Sequence, residues 1–128
     1  MKLEDHKDSF EAHRKTIFSW AIEVQGLSNS QRIVGVHASR GIIELLSLFL
    51  HGKNLVKSGF QLNHRWFKSQ KVYSKIPNFK GKKEIIDLMV DLEKLCELLS
   101  YGKKRSTDDT EKAIKLFKEL EEKINKLL

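Results

Sequence analysis

The sequence predicts an all-α fold, an up-and-down antiparallel bundle of about five helices, and three observations carry that expectation. Apolar residues recur at spacings of three and four through long segments. The alternation that marks a half-buried strand is found nowhere. Gly26, Gly52, Pro77 and Gly102 fall where the periodic segments stop. With 128 residues and one proline, residues 1–128 have room for a single core and no second domain.

The first helix is expected from Leu3 or Asp8 to Val24, with Phe10, Ile17, Phe18, Ala21 and Ile22 on its apolar side and Gly26 as its stop. His13 and Arg14 sit among charged neighbours and read as part of a solvated face. Leu27-Ser-Asn-Ser30 is a short connection with three candidate N-caps, so the next helix must run antiparallel. From Ser30 to His51 the chain is apolar or small on nearly every side, which marks a central helix surrounded by others. Gly35, Ala38 and Gly41 leave room for a close helix crossing near Gly41. Interior glycine costs about 1 kcal/mol relative to alanine, and helix packing is the expected reason for it.

Lys53 to Gln61 reads as a loop. A third helix is expected over Leu62 to Lys75, with Leu62, Trp66, Tyr73 and Ile76 on one side, Trp66 in the core, and Pro77 closing it. The fourth, Lys82 to Tyr101, carries Ile85, Leu88, Leu92, Leu95 and Leu99, with Met89, Cys96 and Leu98 beside them. Ser106 to Glu111 offers N-caps and acids suited to the positive end of a last helix built on Ala113, Phe117, Leu120, Ile124 and Leu127. Alternation of five helices would bring loops 52–61 and 103–107 to the same end of the bundle.

The net charge of +7 is unevenly placed. No acid occurs between Glu44 and Glu84, and nine basic residues between Gly52 and Lys83 make that third of the chain +9 and the remainder −2. Cys96 is the single cysteine, which excludes an intramolecular disulfide and suits a small core residue in a reducing compartment. The N-terminal Met-Lys-Leu-Glu-Asp-His is too acidic for a signal peptide, and no apolar run is expected to reach the about 18 residues of a membrane span. A cytoplasmic protein without a membrane partner is therefore expected.

Zinc-type Cys/His sets, His-Glu-x-x-His, the phosphate-binding glycine loop and Gly-x-Gly-x-x-Gly are all missing, so neither metal nor cofactor is expected. One polar stripe interrupts the central helix: His37, Arg40, Glu44, Ser47 and His51 line up at spacings of three and four. Within it, His37, Arg40 and Glu44 are the catalytic candidates. Arg40 would hold a phosphate, Glu44 would orient Arg40 through an i,i+4 pair, and His37 would transfer a proton. The plainer reading is a helical salt bridge beside a solvated histidine. For phosphate binding the candidates are Lys53, Lys57, Arg65, Lys68, Lys103, Lys104 and Arg105, gathered by the shared bundle end. Phe60, Trp66, Phe67, Tyr73 and Phe79 lie among lysines, as in surfaces that stack bases.

An internal Trp20-Ala21 in the first helix, the long apolar second helix, a third helix opening with His64, a fourth ending in Tyr101-Gly-Lys-Lys, and Thr107-Asp-Asp-Thr-Glu-Lys-Ala113 opening the last form a familiar order. Over nearly its whole length the chain resembles the HEPN domains, the higher eukaryotes and prokaryotes nucleotide-binding family. The resemblance implies a helical bundle, a homodimer, and partnership with a small nucleotidyltransferase. Some members are metal-independent ribonucleases of toxin type that use an Arg-x(4–6)-His motif; here only Arg32-Ile-Val-Gly-Val-His37 has that spacing, and it lies earlier in the chain than the family places it. The leading expectation is a noncatalytic module that binds phosphates of nucleotide, RNA or other nucleic acid. A ribonuclease and a ligand-free dimerisation scaffold are the alternatives.

Overall fold

The computed structural model describes residues 2–128, and no strand occurs among the described residues. Leu3–Lys15 (α1) runs directly into a π-helical segment, Thr16–Gln25, that ends at Gly26, where φ is 83°. The short 3-10 turn Leu27–Asn29 leads into α2, Gln31–Gly52. Two further 3-10 turns, His64–Lys68 and Gln70–Lys75, precede α3, Lys82–Ser100, and α4, Thr107–Asn125. The helical segments thus follow the expected order, but the third is a pair of short turns where one α-helix over 62–75 was expected.

The cause is local. Asn63 and Ser69 each accept the backbone N–H two residues ahead, from Arg65 and Lys71, so each starts a fresh turn. Ser69 itself is extended, with φ −149° and ψ 165°, and interrupts any continuous helix. The side chains buried from these turns are Phe67 and Val72, joined by Ile76. Trp66 is only partly covered and Tyr73 is exposed, which corrects the face expected for this segment.

Because these turns do not cross the bundle, only four long helices alternate. Gly52 lies near Leu3 and Glu44 meets His6, so α1 and α2 are antiparallel. Gln31 at the start of α2 donates to the carbonyls of Leu99 and Lys103 and accepts from the Arg105 N–H, so α3 ends where α2 begins. Lys123 near the end of α4 pairs with Glu84 near the start of α3. Loop 52–61 and turn 103–107 therefore lie at opposite ends of α2, not at one end as expected. At 1.5 Å per residue, α2 separates them by roughly 33 Å.

The core follows the apolar periodicity closely. Ile42, Leu45, Leu46 and Phe49 of α2 are buried, together with Phe10, Ile17, Ala21, Leu92, Phe117 and Leu120 from the surrounding segments. A Cβ on Gly35 would stand 2.9 Å from Leu99 Cβ, and one on Gly41 would stand 3.1 Å from His13 Cβ and 3.2 Å from Phe117. The small residues thus serve close helix crossings. Ser106 caps α4 by accepting from the Asp108 N–H, whereas Ser30 donates its hydroxyl to the carbonyls of Ala21 and Gly26 and closes the π segment instead of capping α2. Most apolar positions of α2 and α3 are covered within the chain. Leu98 remains exposed, as do Trp20 and Val24 on the π segment.

One expectation about α2 changes. An 18-residue window of this 22-residue helix has a mean hydropathy of 1.6, so by length and composition the helix could cross a membrane. His37, Arg40 and Glu44 break the apolar run without lowering the average below that level. Of the window, 61% is buried inside the bundle, as the core helix of a soluble fold would be.

Candidate functional site

The polar stripe of α2 is met by α1. His6, Phe10, His13 and Ile17 recur at four, three and four, so the two histidines share the face that α1 turns inward. Antiparallel packing then brings His6 to Glu44 and His13 to His37. The His6 Nδ1 lies 2.8 Å from Glu44 Oε2, and its ring stacks on His51 with centroids 5.5 Å apart. The Nδ1 atoms of His13 and His37 are also 2.8 Å apart. Glu44 therefore serves His6 and does not orient Arg40, and His13 is no solvated residue but half-buried in a pair with His37.

The opposite wall comes from the 3-10 turn His64–Lys68. His64 Nδ1 lies 2.7 Å from Glu93 Oε1, and the buried Glu93 also accepts from the Ser39 hydroxyl at 2.7 Å. These two bonds moor the turn to α3 and α2. Between the walls runs a groove of three adjoining cavities, and all five histidines of the chain gather along it.

The first cavity, about 270 Å³, is bounded by Gly35, Arg40, Arg65, Lys68, Glu97, Ser100 and Tyr101. The second, about 400 Å³, is bounded by His13, Arg40, Ile43, Glu44, Leu62, Asn63, His64 and Arg65. The third, about 210 Å³, lies toward His6, Ser47, His51, Ser58 and Phe60. Arg40, His64 and Arg65 belong to both of the first two and form the partition between them.

Charge along the groove is unequal. Glu97 is paired with Lys68 at 3.2 Å, Glu93 with His64 and Glu44 with His6. Among the described residues, no carboxylate reaches the guanidinium of Arg40 or Arg65 at ion-pair distance. Burial, then the neighbouring His37, hold His13 below its ordinary pKa; Glu44 pulls the other way, and Arg40 adds a lesser lowering effect. Burial and Arg40 hold His37 down in the same way. Cys96 is fully buried, and desolvation with Glu93 nearby pushes its thiol far up, so it is no nucleophile.

The seven phosphate-binding candidates divide three ways. Arg65 and Lys68 line the groove. Lys53 and Lys57 are exposed beyond the C-terminal end of α2. Lys103, Lys104 and Arg105 lie at its other end, where Arg105 is paired with Asp109 at 3.0 Å and Lys104 borders a shallow cavity with Arg32. Arg32 donates to the carbonyls of Ser100 and Gly102, both at 2.9 Å, so the Arg32–His37 string is not assembled into a site.

Sequence reasoning did not single out His6 or Glu93, and it marked Tyr101 only as the end of a helix. The four-three-four recurrence through His6 and His13 was a visible signal, while Glu93 was concealed in an apolar heptad. No group of three or more His, Cys, Asp and Glu side chains is disposed to hold a metal among the described residues. No protein-family model, curated protein or solved structure matches the chain.

Proposed function

We propose that this protein is a noncatalytic helical module that binds the phosphate of a nucleotide or nucleic acid in the groove over α2. The supporting observation is the partition formed by Arg40 and Arg65, two arginines that line the cavities on either side and have no carboxylate partner at ion-pair distance among the described residues. Guanidinium donors match phosphate oxygens in a planar fork. Lys68 extends the positive wall, and Tyr101, 65% exposed at the rim, offers an aromatic face of the kind on which bases stack. The HEPN-like layout, a nucleotidyltransferase partner and a homodimer belong to the same proposal. Fluorescence anisotropy with a labelled short RNA and with labelled nucleotide at low ionic strength tests the reading. Arg40→Ala with Arg65→Ala should weaken binding at least about tenfold, since hydrogen bonds to charged groups contribute about 1.5–3 kcal/mol each. Absence of saturable binding to either probe would leave the scaffold role in its place.

A second reading, metal-independent RNA cleavage, is favoured by one observation: the His13–His37 pair adjoins Arg40, and both rings are biased toward the neutral form that can accept a proton. RNA cut in EDTA by the wild type and left intact by His37→Ala would establish it.

A further inference from the structure

The binding reading uses Arg40, Arg65 and Lys68 but leaves the His13–His37 pair without a task. Its geometry limits what it can do. With the two Nδ1 atoms 2.8 Å apart, only one of them carries a proton while the other accepts it. Two states preserve that bond. In the neutral state each imidazole carries one proton. In the cationic state the donor ring gains a proton on its Nε2, and the bond becomes charge-assisted. A second added proton would set two N–H groups against each other. The pair is therefore an acceptor of one proton.

The surrounding charges decide when it is filled. Arg40 and Glu44 face it from α2, and His64 and Arg65 complete the cavity from the 3-10 turn. From α4, the Phe117 ring lies beside Gly41 and His13, and Glu121 is engaged by Arg14 at 2.7 Å. In the free protein, burial and the field of Arg40 oppose a further positive charge on the pair, while Glu44 favours one at His13. A phosphate at the partition reverses that field, and a terminal phosphate, with up to two negative charges, reverses it further than a diester does.

We infer that capture of a terminal phosphate between Arg40 and Arg65 draws one proton onto the His13–His37 pair, so that binding tightens as the solution becomes more acidic. The inference rests on the proposed binding function and adds to it a ligand class and a proton stoichiometry. Linkage sets the scale: one proton taken up strengthens binding by up to about tenfold per pH unit.

Calorimetric titration with adenosine 5′-monophosphate, repeated at pH 7.5 in two buffers of different ionisation enthalpy, counts the protons taken up. The expected result is uptake approaching one proton per nucleotide in the wild type and near zero in His37→Gln, with binding retained. His13→Gln serves as the second variant, with circular dichroism confirming the fold of each. Binding without proton uptake, or with the same uptake in both variants as in the wild type, overturns the inference and leaves the binding function standing. Failure to bind the nucleotide, inorganic phosphate or a 5′-phosphorylated RNA overturns both.

Discussion

Gly35 lies so close to Ser100 that a Cβ on the glycine would stand 2.7 Å from the serine hydroxyl and 3.0 Å from the Cys96 carbonyl. A backbone carbonyl cannot yield as a side-chain tip does. Three glycines of α2 therefore form a graded series. Gly35→Ala should lose about 1–2 kcal/mol, because overpacking costs about 1–3 kcal/mol and exceeds the gain in helix propensity. Gly41→Ala, with its nearest neighbours at 3.1 and 3.2 Å, should lose less. Gly52→Ala, with nothing nearer than 4.0 Å, should be neutral or slightly stabilising. Urea unfolding midpoints check the ranking, and an unharmed Gly35→Ala would show that α2 and α3 do not cross so closely.

Stability should decline in mild acid because of the His13–His37 pair. Burial and Arg40 act to lower both rings in the folded state, whereas unfolded histidines titrate near about 6.5. Below about pH 6.5 the unfolded chain therefore binds more protons than the native one, and stability falls with falling pH until the native rings also fill. The double substitution His13→Gln with His37→Gln should flatten the dependence between pH 7.5 and 5.5, measured by urea unfolding. An equally steep dependence in the double variant would rule the pair out as its source.

Glu93 is the mooring of the groove's outer wall. Removing it by Glu93→Ala strands the Ser39 hydroxyl and the His64 ring and should cost about 3 kcal/mol, the scale of a buried pair broken from one side. His64→Ala should cost less, because the His64 side chain is 25% exposed whereas that of Glu93 is 7% exposed. Thermal unfolding of both variants gives the comparison, and equal losses would assign the mooring to other interactions.

The two ends of the bundle should act independently of the groove. Reversing Lys103, Lys104 and Arg105 to Glu should leave nucleotide affinity within about twofold at 0.15 M salt, where charges are screened beyond about 8 Å. For a short RNA, the slope of log affinity against log salt should become shallower by about 0.7 for each phosphate no longer neutralised, and Arg40→Ala and Arg65→Ala should account for the larger share. If the triple reversal abolished nucleotide binding while Arg40→Ala did not, the site would have to be moved to the end of α2.

The helices and their buried faces were legible because three- and four-residue periodicity reports directly on burial. Ile42, Leu46, Phe117 and Leu120 are where that pattern puts them. The stripe His37, Arg40, Glu44, Ser47, His51 was legible for the same reason, and it does border the groove. Its partners were not. Whether Glu44 would meet Arg40 or His6 depends on the register of α1 against α2, which no spacing within α2 contains. The segment 62–75 misled because Asn63 and Ser69 compete for backbone N–H groups, a choice made by two polar side chains against an otherwise helical pattern. That one misreading reversed the direction of everything after it and placed Lys53 beside Lys103 in expectation.

Arg32 and Gln31 bind the first turn of α2 to the last carbonyls of α3 and to the turn beyond. The inner wall of the groove is thereby stitched into the same cooperative unit as the long helices. The outer wall, His64–Lys75, hangs on His64, Lys68 and a few buried side chains. These are two tiers of opening energy, and amide exchange resolves such tiers. Exchange at Phe67 and Val72 should require only the detachment of the outer segment, while Leu45 and Leu46 should exchange through global unfolding. With that outcome the groove has one fixed side and one that opens separately, and a ligand too large for the closed cavities is expected to enter without melting the bundle.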